Sequence, residues 1–461
     1  MTLLRTVSPV DGRILVEREL AGEAAIAAAL ERAGQAFHSW RATPVAERAA
    51  LIGRAVDALV ARGEELAAEI TWQMGRPIGQ SPGEIRGLEE RARYMLAAAP
   101  RALADREVGD KPGFMRFIRH EPLGLVFVVA PWNYPYLTAV NSIVPALVAG
   151  NVVLLKHSAQ TPLCAERFQQ AFDEAGLPAG VFQHLHLGHE AALQLVGSGA
   201  AQLVAFTGSV PGGHAVQQAA AATFIGTNQE LGGKDPAYVR EDADLARAVE
   251  SLVDGACFNS GQSCCGIERI YVHRRRFDEF TQRYAELAAQ YVLGDPTEPG
   301  TTLGPMARPA AADFARDQVE EAVAQGARPL IDTGAFARER RGSAYMAPQC
   351  LVNVRHDMRI MREESFAPIV GIMSVDGDDE AIRLMNDSDF GLTASVWTQD
   401  AEAALRIGDR IETGTWFMNR CDYLDPALAW VGVKDSGRGC SLSELAYGQL
   451  TRPKSFHLRL G

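Results

Sequence analysis

From Leu123 onward, short apolar runs alternate with stretches of helical pattern, and this alternation restricts the fold more than any other feature of the sequence. The first runs read LGLVFVVA, NVVLLK and LVAFTG, and helical patterns separate them. Short runs separated by helices are typical of strands that a parallel sheet buries on both faces. The sequence therefore predicts a doubly wound α/β unit, which binds its ligands beyond the carboxyl ends of its strands.

The same alternation begins again after residue 230, with the runs RIYVH, IVGIMSV and TASVWT. A chain of 461 residues exceeds what one hydrophobic core usually supports, so we expect a second α/β domain. Residues 22 to 76 carry apolar side chains at helical spacing. The segment from Asp105 to Pro122 contains Gly109 and Pro112 and predicts a hairpin ahead of the first sheet.

Composition excludes several classes of protein. Acidic residues outnumber basic ones by 57 to 45, a net charge of -12, which argues against a general binder of nucleic acid or of membrane surfaces. The seven cysteines are scattered without paired CxxC motifs, so neither a disulfide framework nor a metal site is expected. Residues 1 to 12 lack the pattern of a secretory signal, and the apolar run 123 to 132 is too short to span a membrane. The expected location is the cytoplasm.

Three motifs carry side chains suited to covalent chemistry on a carbonyl group. Cys264 ends the motif GQSC, and its thiolate can act as a nucleophile. Asn133, in PWNYP, follows the first predicted strand, where a fixed amide can donate a hydrogen bond to an oxyanion. Glu230 precedes two glycines in ELGGK and can act as a general base if it is buried. Each motif alone has an ordinary reading as a buried cysteine, a turn asparagine or a surface glutamate.

Three further motifs suit a nucleotide. Lys156 ends the second predicted strand, where an ammonium group can meet a phosphate or a ribose hydroxyl. In FTGSVPGG, Gly208 and Gly213 flank a strand-to-helix turn whose backbone N–H groups can approach a pyrophosphate. Glu364, in EESFAP, offers a carboxylate to ribose hydroxyls. Singly these signals are weak, because surface lysines and solvated acidic pairs are common and the glycine motif is not a strict GxGxxG.

Together and in this order, the motifs resemble those of the aldehyde dehydrogenase superfamily over essentially the whole chain. The resemblance implies that Cys264 is the nucleophile, whereas Cys265 packs away from the substrate. It also implies that Asn133 and the Cys264 backbone N–H hold the oxyanion, and that Glu230 activates the water that hydrolyses the thioester. The coenzyme-A-acylating branch of the superfamily lacks this glutamate. The expected reaction is therefore NAD(P)-dependent oxidation of an aldehyde to its carboxylic acid.

The resemblance also implies which residues bind the cofactor and the substrate. The implied cofactor residues are Trp132, Lys156, Gly208, Ser209, Gly213, Glu364 and Phe366. The implied substrate pocket consists of Tyr134, Thr138, Asn141, Leu424 and Trp430. Arg420, Asp422 and Asp425 near the mouth are compatible with either an acidic or an amino aldehyde.

Two positions depart from the family pattern. Many NAD-preferring relatives carry a glutamate at the position of Ala159, where it binds the adenosine ribose. Without that carboxylate the site is compatible with NADP as well as NAD, and a slight preference for NAD is expected. Relatives that act on succinic semialdehyde carry an arginine at the position of Phe258, so a short semialdehyde acid is less expected.

The family architecture implies a domain division. Residues 1 to 104 and 124 to 230 would form the cofactor-binding domain, and residues 231 to 435 the catalytic domain. Residues 105 to 123 and 436 to 461 would form a β-sheet element for oligomerisation. An exposed strand edge needs a partner, so a homodimer or homotetramer is expected. Two other classes stay open from the residues alone: a thiol hydrolase that uses no nicotinamide, and a non-catalytic protein of the same fold.

Overall fold

The computed structural model describes residues 3 to 460. Its strands are, in chain order, β1 (Leu3–Val7), β2 (Ile14–Glu19), β3 (Arg106–Glu107), β4 (Phe114–Pro122), β5 (Leu125–Ala130), β6 (Val152–His157), β7 (Phe182–His184), β8 (Leu203–Thr207), β9 (Gly226–Glu230), β10 (Asp235–Val239), β11 (Ile267–His273), β12 (Arg328–Pro329), β13 (Gln349–Val352), β14 (Ile369–Val375), β15 (Phe390–Gly391), β16 (Thr393–Trp397), β17 (Thr415–Met418), β18 (Val433–Lys434), β19 (Gly437–Arg438) and β20 (Thr451–Arg459). Its α-helices are α1 (Glu23–Trp40), α2 (Val45–Ala61), α3 (Gly63–Met74), α4 (Pro82–Ala102), α5 (Pro135–Val148), α6 (Pro162–Glu174), α7 (His189–Gly197), α8 (Val210–Ala220), α9 (Leu245–Cys257), α10 (Phe277–Ala288), α11 (Pro309–Ala324), α12 (Arg359–Arg362), α13 (Asp378–Asn386), α14 (Ala401–Gly408) and α15 (Ala446–Gln449).

The first large sheet has six strands in the order β19-β9-β8-β5-β6-β7. Its five main strands run parallel, and β19 pairs antiparallel with β9 at one edge. The six residues of β6 are all buried, as expected for a strand covered on both faces. Helices α2, α4, α5 and α6 supply apolar side chains to the same core. This confirms the doubly wound α/β unit.

The second large sheet has seven strands in the order β12-β13-β14-β11-β10-β16-β17. All its pairings are parallel except the short edge pair β12 and β13. Helices α9 and α10 contribute to one hydrophobic cluster on this sheet, and α11 to α14 contribute to another. The predicted second α/β unit is therefore present.

The hairpin segment forms a third, separate sheet in the order β20-β4-β3. Strand β20 pairs with β4 along its whole length, from Thr451 opposite Pro122 to Arg459 opposite Phe114. The rest of the segment 436 to 461 behaves differently from the prediction, because β19 joins the first large sheet and α15 packs into its core. Residues 1, 2 and 461 of the predicted ranges lie outside the described residues.

Chain reversals at the ends of β5, β9 and α9 position the site. The motif PWNYP connects β5 to α5, the motif ELGGK connects β9 of the first sheet to β10 of the second, and GQSC lies just before β11. Parallel strands in one sheet place their carboxyl ends at one edge, where loops can meet. Among residues 3 to 460, no helix is both long and apolar enough to cross a membrane.

Candidate active site

The loop that carries the predicted nucleophile, Cys264, leaves α9 through a sharp reversal. Asn259 and Gly261 have φ values of 53° and 71°, in the left-handed region. A side chain at position 261 would overlap the backbone of Ala367, so only glycine fits this turn without displacement. The turn delivers Cys264 to the wall of a cavity, where its thiol is partly exposed.

A buried network behind this loop fixes its shape. Arg76 donates from Nε to Asn259 Oδ1 at 3.0 Å, and it also contacts the Glu84 carboxylate and the Asn133 carbonyl oxygen. Asn259 Nδ2 donates to the same Asn133 carbonyl at 3.2 Å and to the Gln262 carbonyl at 3.1 Å. Buried polar groups with complete partners hold a single geometry. Neither Arg76 nor Asn259 lies in a motif suited to chemistry, so sequence reasoning missed both.

The Asn133 side chain lies beside the nucleophile loop. Its Nδ2 donates to the carbonyl oxygen of Gln262 at 3.3 Å, two residues before Cys264, and the side chain is buried. Pro135 begins α5 immediately afterwards and restricts the backbone. An amide nitrogen carries two N–H donors, so the second is available to an oxyanion.

Glu230, the last residue of β9, borders the same cavity. The N–H of Gly208 donates to its backbone carbonyl at 3.0 Å, which ties the strand end to the glycine turn. Ser441 Oγ donates to the Glu230 carboxylate, and Asn228 Nδ2 donates to Ser441 Oγ at 3.4 Å. Burial raises the pKa of Glu230, while the Ser441 hydrogen bond and the charge of Arg91 oppose that rise. A carboxylate in such surroundings suits general-base work.

The two glycines after Glu230 allow three segments to meet. A Cβ added at Gly232 would lie within 2.6 Å of Oε1 of Glu364, and a Cβ added at Gly233 would overlap the carbonyl of Cys264. The N–H of Gly233 donates to Glu364 Oε1 at 2.9 Å. The ELGG stretch therefore touches the nucleophile loop and the EESFAP loop only because it lacks side chains there.

Cys265 has different surroundings from its neighbour. Its Sγ donates to Asp422 Oδ1 at 2.9 Å, and Ser263 Oγ donates to the same oxygen at 3.2 Å. The hydrogen bond with Cys264, together with burial, raises the pKa of the Cys265 thiol well above its usual range. Cys265 is buried, but it also borders the cavity. The expectation that it packs away from the substrate is therefore wrong in that respect, because its bond to Asp422 holds it at the wall.

Cys264, Cys265 and Glu230 border one cavity of about 380 Å³, within the range of small-ligand sites. All five residues of the predicted substrate pocket border it: Tyr134, Thr138, Asn141, Leu424 and Trp430. The structure adds a wall that no motif predicted, formed by six residues of helix α4: Gly83, Glu84, Arg86, Gly87, Glu90 and Arg91. A larger groove of about 1160 Å³ lies elsewhere, between Arg240 and Arg410. Both of those arginines pair with aspartates, and the groove contains none of the predicted catalytic residues.

The predicted cofactor residues follow neighbouring strands of the first sheet. Trp132 comes after β5, Lys156 lies near the end of β6, and Gly208 comes directly after β8. Ser209 caps helix α8 by accepting the N–H of Gly212 at 3.3 Å. Predicted Gly213 lies inside that helix, where an added Cβ would contact the side chain of Leu231. This edge therefore combines a helix N-terminus with backbone donors, as a pyrophosphate site requires.

The remaining cofactor residues belong to the EESFAP loop. The Phe366 ring meets the Trp132 ring edge-on with 5.7 Å between centroids. Burial raises the pKa of Glu364 to about 8, and the nearby Glu268 carboxylate adds to the rise. Lys156 is buried, yet its ammonium has no hydrogen-bond acceptor among residues 3 to 460. A buried cation without a partner at a strand end fits a phosphorylated nucleotide.

The sequence of residues 2–456 matches the profile described as Aldehyde dehydrogenase family. The chain belongs to the aldehyde dehydrogenase family. It is an NAD(P)-dependent oxidoreductase that oxidises an aldehyde to the carboxylic acid, and its fold is the two-sheet α/β fold of that family.

Individual relatives agree with this identification. This aldehyde dehydrogenase is 34% identical over 449 residues to the NADP(+) succinate-semialdehyde dehydrogenase of Deinococcus radiodurans, covering 97% of this chain and 93% of that protein. It is 35% identical over 445 residues to the NAD(P)+ succinate semialdehyde dehydrogenase of Escherichia coli, covering 95% and 94%. The solved lactaldehyde dehydrogenase of Escherichia coli superposes with a TM-score of 0.94 at 30% identity, covering 100% of this chain and 96% of that one. These relatives give no support to the thiol-hydrolase or non-catalytic alternatives.

Proposed function

We propose that Cys264 is the nucleophile of this aldehyde dehydrogenase and that Asn133 stabilises the oxyanion. The Cys264 thiolate attacks the aldehyde carbon, a sulfur–carbon bond forms, and the carbonyl oxygen takes the negative charge. Asn133 Nδ2 and the Cys264 backbone N–H donate to that oxygen. NAD(P)+, when bound, supplies the acceptor for the hydride. Trp132, Lys156, the turn 208 to 213, Glu364 and Phe366 are proposed to hold it.

Glu230 is proposed to serve the second half of the reaction. Once the carbon on Cys264 is oxidised to a thioester, Glu230 takes a proton from a water molecule, and the resulting hydroxide attacks the thioester carbon. The sulfur–carbon bond then breaks, the carboxylic acid leaves, and Cys264 is regenerated. The Ser441 hydrogen bond supports this role because it orients the carboxylate.

The observation that carries the proposal is that Cys264 and Glu230 border one small cavity while the Asn133 amide is bonded two residues before the nucleophile. The test is an aldehyde panel with aliphatic, aromatic, hydroxy, amino and acid members, followed by absorbance of the reduced nicotinamide. We expect absorbance to grow with one class of aldehyde and the corresponding acid to accumulate. Ester turnover without any nicotinamide oxidation of aldehydes would contradict the proposal.

For the cofactor, we propose that NADP is used at least as well as NAD, in place of the expected preference for NAD. Ala159 is exposed and offers no carboxylate that would repel a 2′-phosphate. Lys156 lies at the adjoining strand end, and its charge is the largest cause that lowers the pKa of His189, followed by burial and then by the charge of Arg308. The two cations near this strand end, Lys156 and Arg308, favour a doubly charged phosphate. The Deinococcus radiodurans relative is named for NADP(+), and the Escherichia coli relative for NAD(P)+.

For the substrate, we propose a short aldehyde that carries a carboxylate. The curated relatives are named for succinate semialdehyde, and the cavity of about 380 Å³ suits a short-chain substrate. The arginine expected of such enzymes on the nucleophile loop is Phe258 here. Succinate semialdehyde is therefore the first member of the panel to test.

We also propose a homodimer or homotetramer assembled through the three-stranded sheet. Strand β20 pairs only with β4 in the described chain, and most of its residues are exposed. An unpaired edge of nine residues is a ready surface for a second copy. Light scattering at micromolar concentration tests this, and a monomer would contradict it. The domain boundaries at residues 104, 124, 230 and 435 stay predictions.

A further inference from the structure

A buried cation stands in the substrate cavity without an anionic partner. Arg91 is 8% exposed and borders the cavity together with Cys264 and Glu230. Its Nη1 donates to the Leu137 carbonyl at 3.0 Å and to Asn141 Oδ1 at 3.3 Å, and both acceptors are neutral. In residues 3 to 460 no carboxylate lies within ion-pair distance of this guanidinium, and its Nε and Nη2 donate to no described acceptor.

The carboxylates that border the same cavity already have donors of their own. Glu84 accepts from Arg76 and from the N–H groups of Tyr136 and Leu137. Glu90 accepts from Tyr423 at 3.0 Å.

The other two cavity carboxylates are also engaged. Ser441 donates to Glu230, and Asp422 accepts from Ser263 and from Cys265. Arg91 therefore donates only to uncharged acceptors, and the Glu84 and Glu230 carboxylates act on its pKa only as nearby charges that oppose the effect of burial. A guanidinium stays protonated in proteins, and its removal from water is costly without a bonded counter-ion. An anion that enters the cavity would supply the missing partner.

Helix α4 places Arg91 at the cavity wall, where such an anion could reach it. Gly83, Gly87 and Arg91 are spaced by four residues, so they lie on one face of the helix, and all three border the cavity. The Leu137 side chain packs against Gly87, and Glu84, Arg86 and Glu90 of the same helix also border the cavity. Arg86 is exposed, so Arg91 is the buried cation that α4 presents to the cavity, with Asn141 of α5 accepting from its Nη1.

We propose that Arg91 binds the carboxylate of the substrate and selects short aldehydes with an acid group opposite the reacting carbonyl. A guanidinium binds a carboxylate through two parallel N–H donors, and Nε with Nη2 form such a pair. The anchor would lie on helix α4, on a different segment from the loop that carries Phe258. This inference rests on the proposed aldehyde oxidation and deepens its substrate class.

The test compares succinate semialdehyde with butanal, an uncharged aldehyde of the same chain length, in the wild-type enzyme and in Arg91→Gln, Arg91→Lys and Arg93→Gln. Arg93 is the matched control, because it lies on the same helix but is exposed and pairs with Asp57 and Glu89. In Arg91→Gln we expect kcat/KM for succinate semialdehyde to fall on the order of 100-fold, mainly through KM, since a buried charge pair is lost. Butanal should fall by a clearly smaller factor, because it loses only the effect of the Arg91 charge on the pKa of Glu230. Arg91→Lys should recover part of the loss, and Arg93→Gln should resemble wild type.

The possible results separate the inference from the proposed function. If kcat/KM in Arg91→Gln fell equally for both aldehydes, Arg91 would have a structural role, and the proposed binding of the substrate carboxylate would be wrong. An unchanged preference for the acid in Arg91→Gln would also overturn it, because the anchor would lie elsewhere. A wild-type enzyme that oxidises butanal as well as succinate semialdehyde would overturn the acid substrate class, and with it the inference, while aldehyde oxidation itself would stand.

A binding measurement removes the dependence on turnover. Succinate, the expected product, should bind the wild-type enzyme in calorimetry and bind Arg91→Gln at least tenfold more weakly, with equal thermal unfolding temperatures as the check on folding. Equal succinate affinity in the two folded proteins would contradict the anchor.

Discussion

The active-site cavity has two regions that are built differently. At the reaction end, Cys264 and Glu230 border the cavity and Asn133 is bonded to the nucleophile loop. This end depends on contiguous motifs at strand and helix ends, with buried hydrogen bonds behind them. The substrate wall, formed by α4 around Arg91 and α5 around Asn141, depends on single side chains that project from helix faces. Backbone geometry therefore positions the reacting groups, whereas single side chains on helix faces determine which substrate binds. Changes at the reaction end should affect every aldehyde alike.

The largest effect should come from the nucleophile. Cys264→Ser should lower kcat/KM for any aldehyde on the order of 10⁴-fold or more, because the covalent step is lost. Cys265→Ser should keep most activity, since this thiol is buried and bonded to Asp422. Steady-state rates with two unrelated aldehydes measure both. The reverse pattern in the two variants would disprove the assignment of the nucleophile.

The general base should give the next largest effect, and a different kinetic signature. Glu230→Gln should lower steady-state turnover by about 10² to 10⁴-fold, yet leave one rapid burst of reduced cofactor per site, because oxidation precedes hydrolysis. Rapid-mixing absorbance measures the burst and the slow phase in one trace. Full steady-state turnover in Glu230→Gln would exclude this carboxylate as the base.

The hydroxyl beside the base should have a moderate effect that depends on pH. Its hydrogen bond stabilises the Glu230 carboxylate and lowers the pKa, so Ser441→Ala should raise the pKa of Glu230 further above its usual value. The base works deprotonated, so the rising limb of kcat against pH should move to higher pH. At neutral pH the loss should be roughly tenfold, the value of a hydrogen bond to a charged group. A pH profile that coincides with wild type would contradict the role of Ser441.

The smallest effect should come from Ala159 at the cofactor edge, which does not border the cavity. Ala159→Glu places a carboxylate near the proposed 2′-phosphate position and should lower kcat/KM for NADP about fivefold, as expected for like charges near water. The rate with NAD should hold or rise. Ala159→Gln, of the same size but uncharged, is the control. A wild-type preference for NAD above roughly a thousandfold, about 4 kcal/mol, would refute the proposed use of NADP.

The sequence predicted the fold and the reaction end because their signals are local. The alternating runs mark strands of both sheets, and GQSC, PWNYP and ELGGK each put one reactive side chain into a loop. Gly233 and Gly261 show why the motifs are short and strict: any side chain there would overlap the backbone of another loop. Residues more than a hundred positions apart, such as Gly261 and Ala367, therefore approach each other closely because the motif has glycine at the contact.

The substrate wall escaped prediction because nothing local distinguishes its key residue. Arg91 lies in the run EERARY, and a charge in such a run usually belongs to the solvent face of a helix. Arg93, two residues later, does lie on that face. Ser441 was missed for a different reason, since its segment reads as part of a sheet for oligomerisation, whereas β19 carries it back to β9 and Glu230. Only the three-dimensional packing separates these cases.

The most direct test of the account is intact-protein mass spectrometry of Glu230→Gln mixed with an oxidisable aldehyde and NAD(P). The variant can form the thioester but cannot hydrolyse it efficiently. We expect the protein to gain the mass of one acyl group. Peptide mapping should locate that group on Cys264, and hydroxylamine should remove it. Acylation of Cys265 instead, or aldehyde oxidation with no acyl group on any cysteine, would contradict the central claim that Cys264 and Glu230 divide the reaction between them.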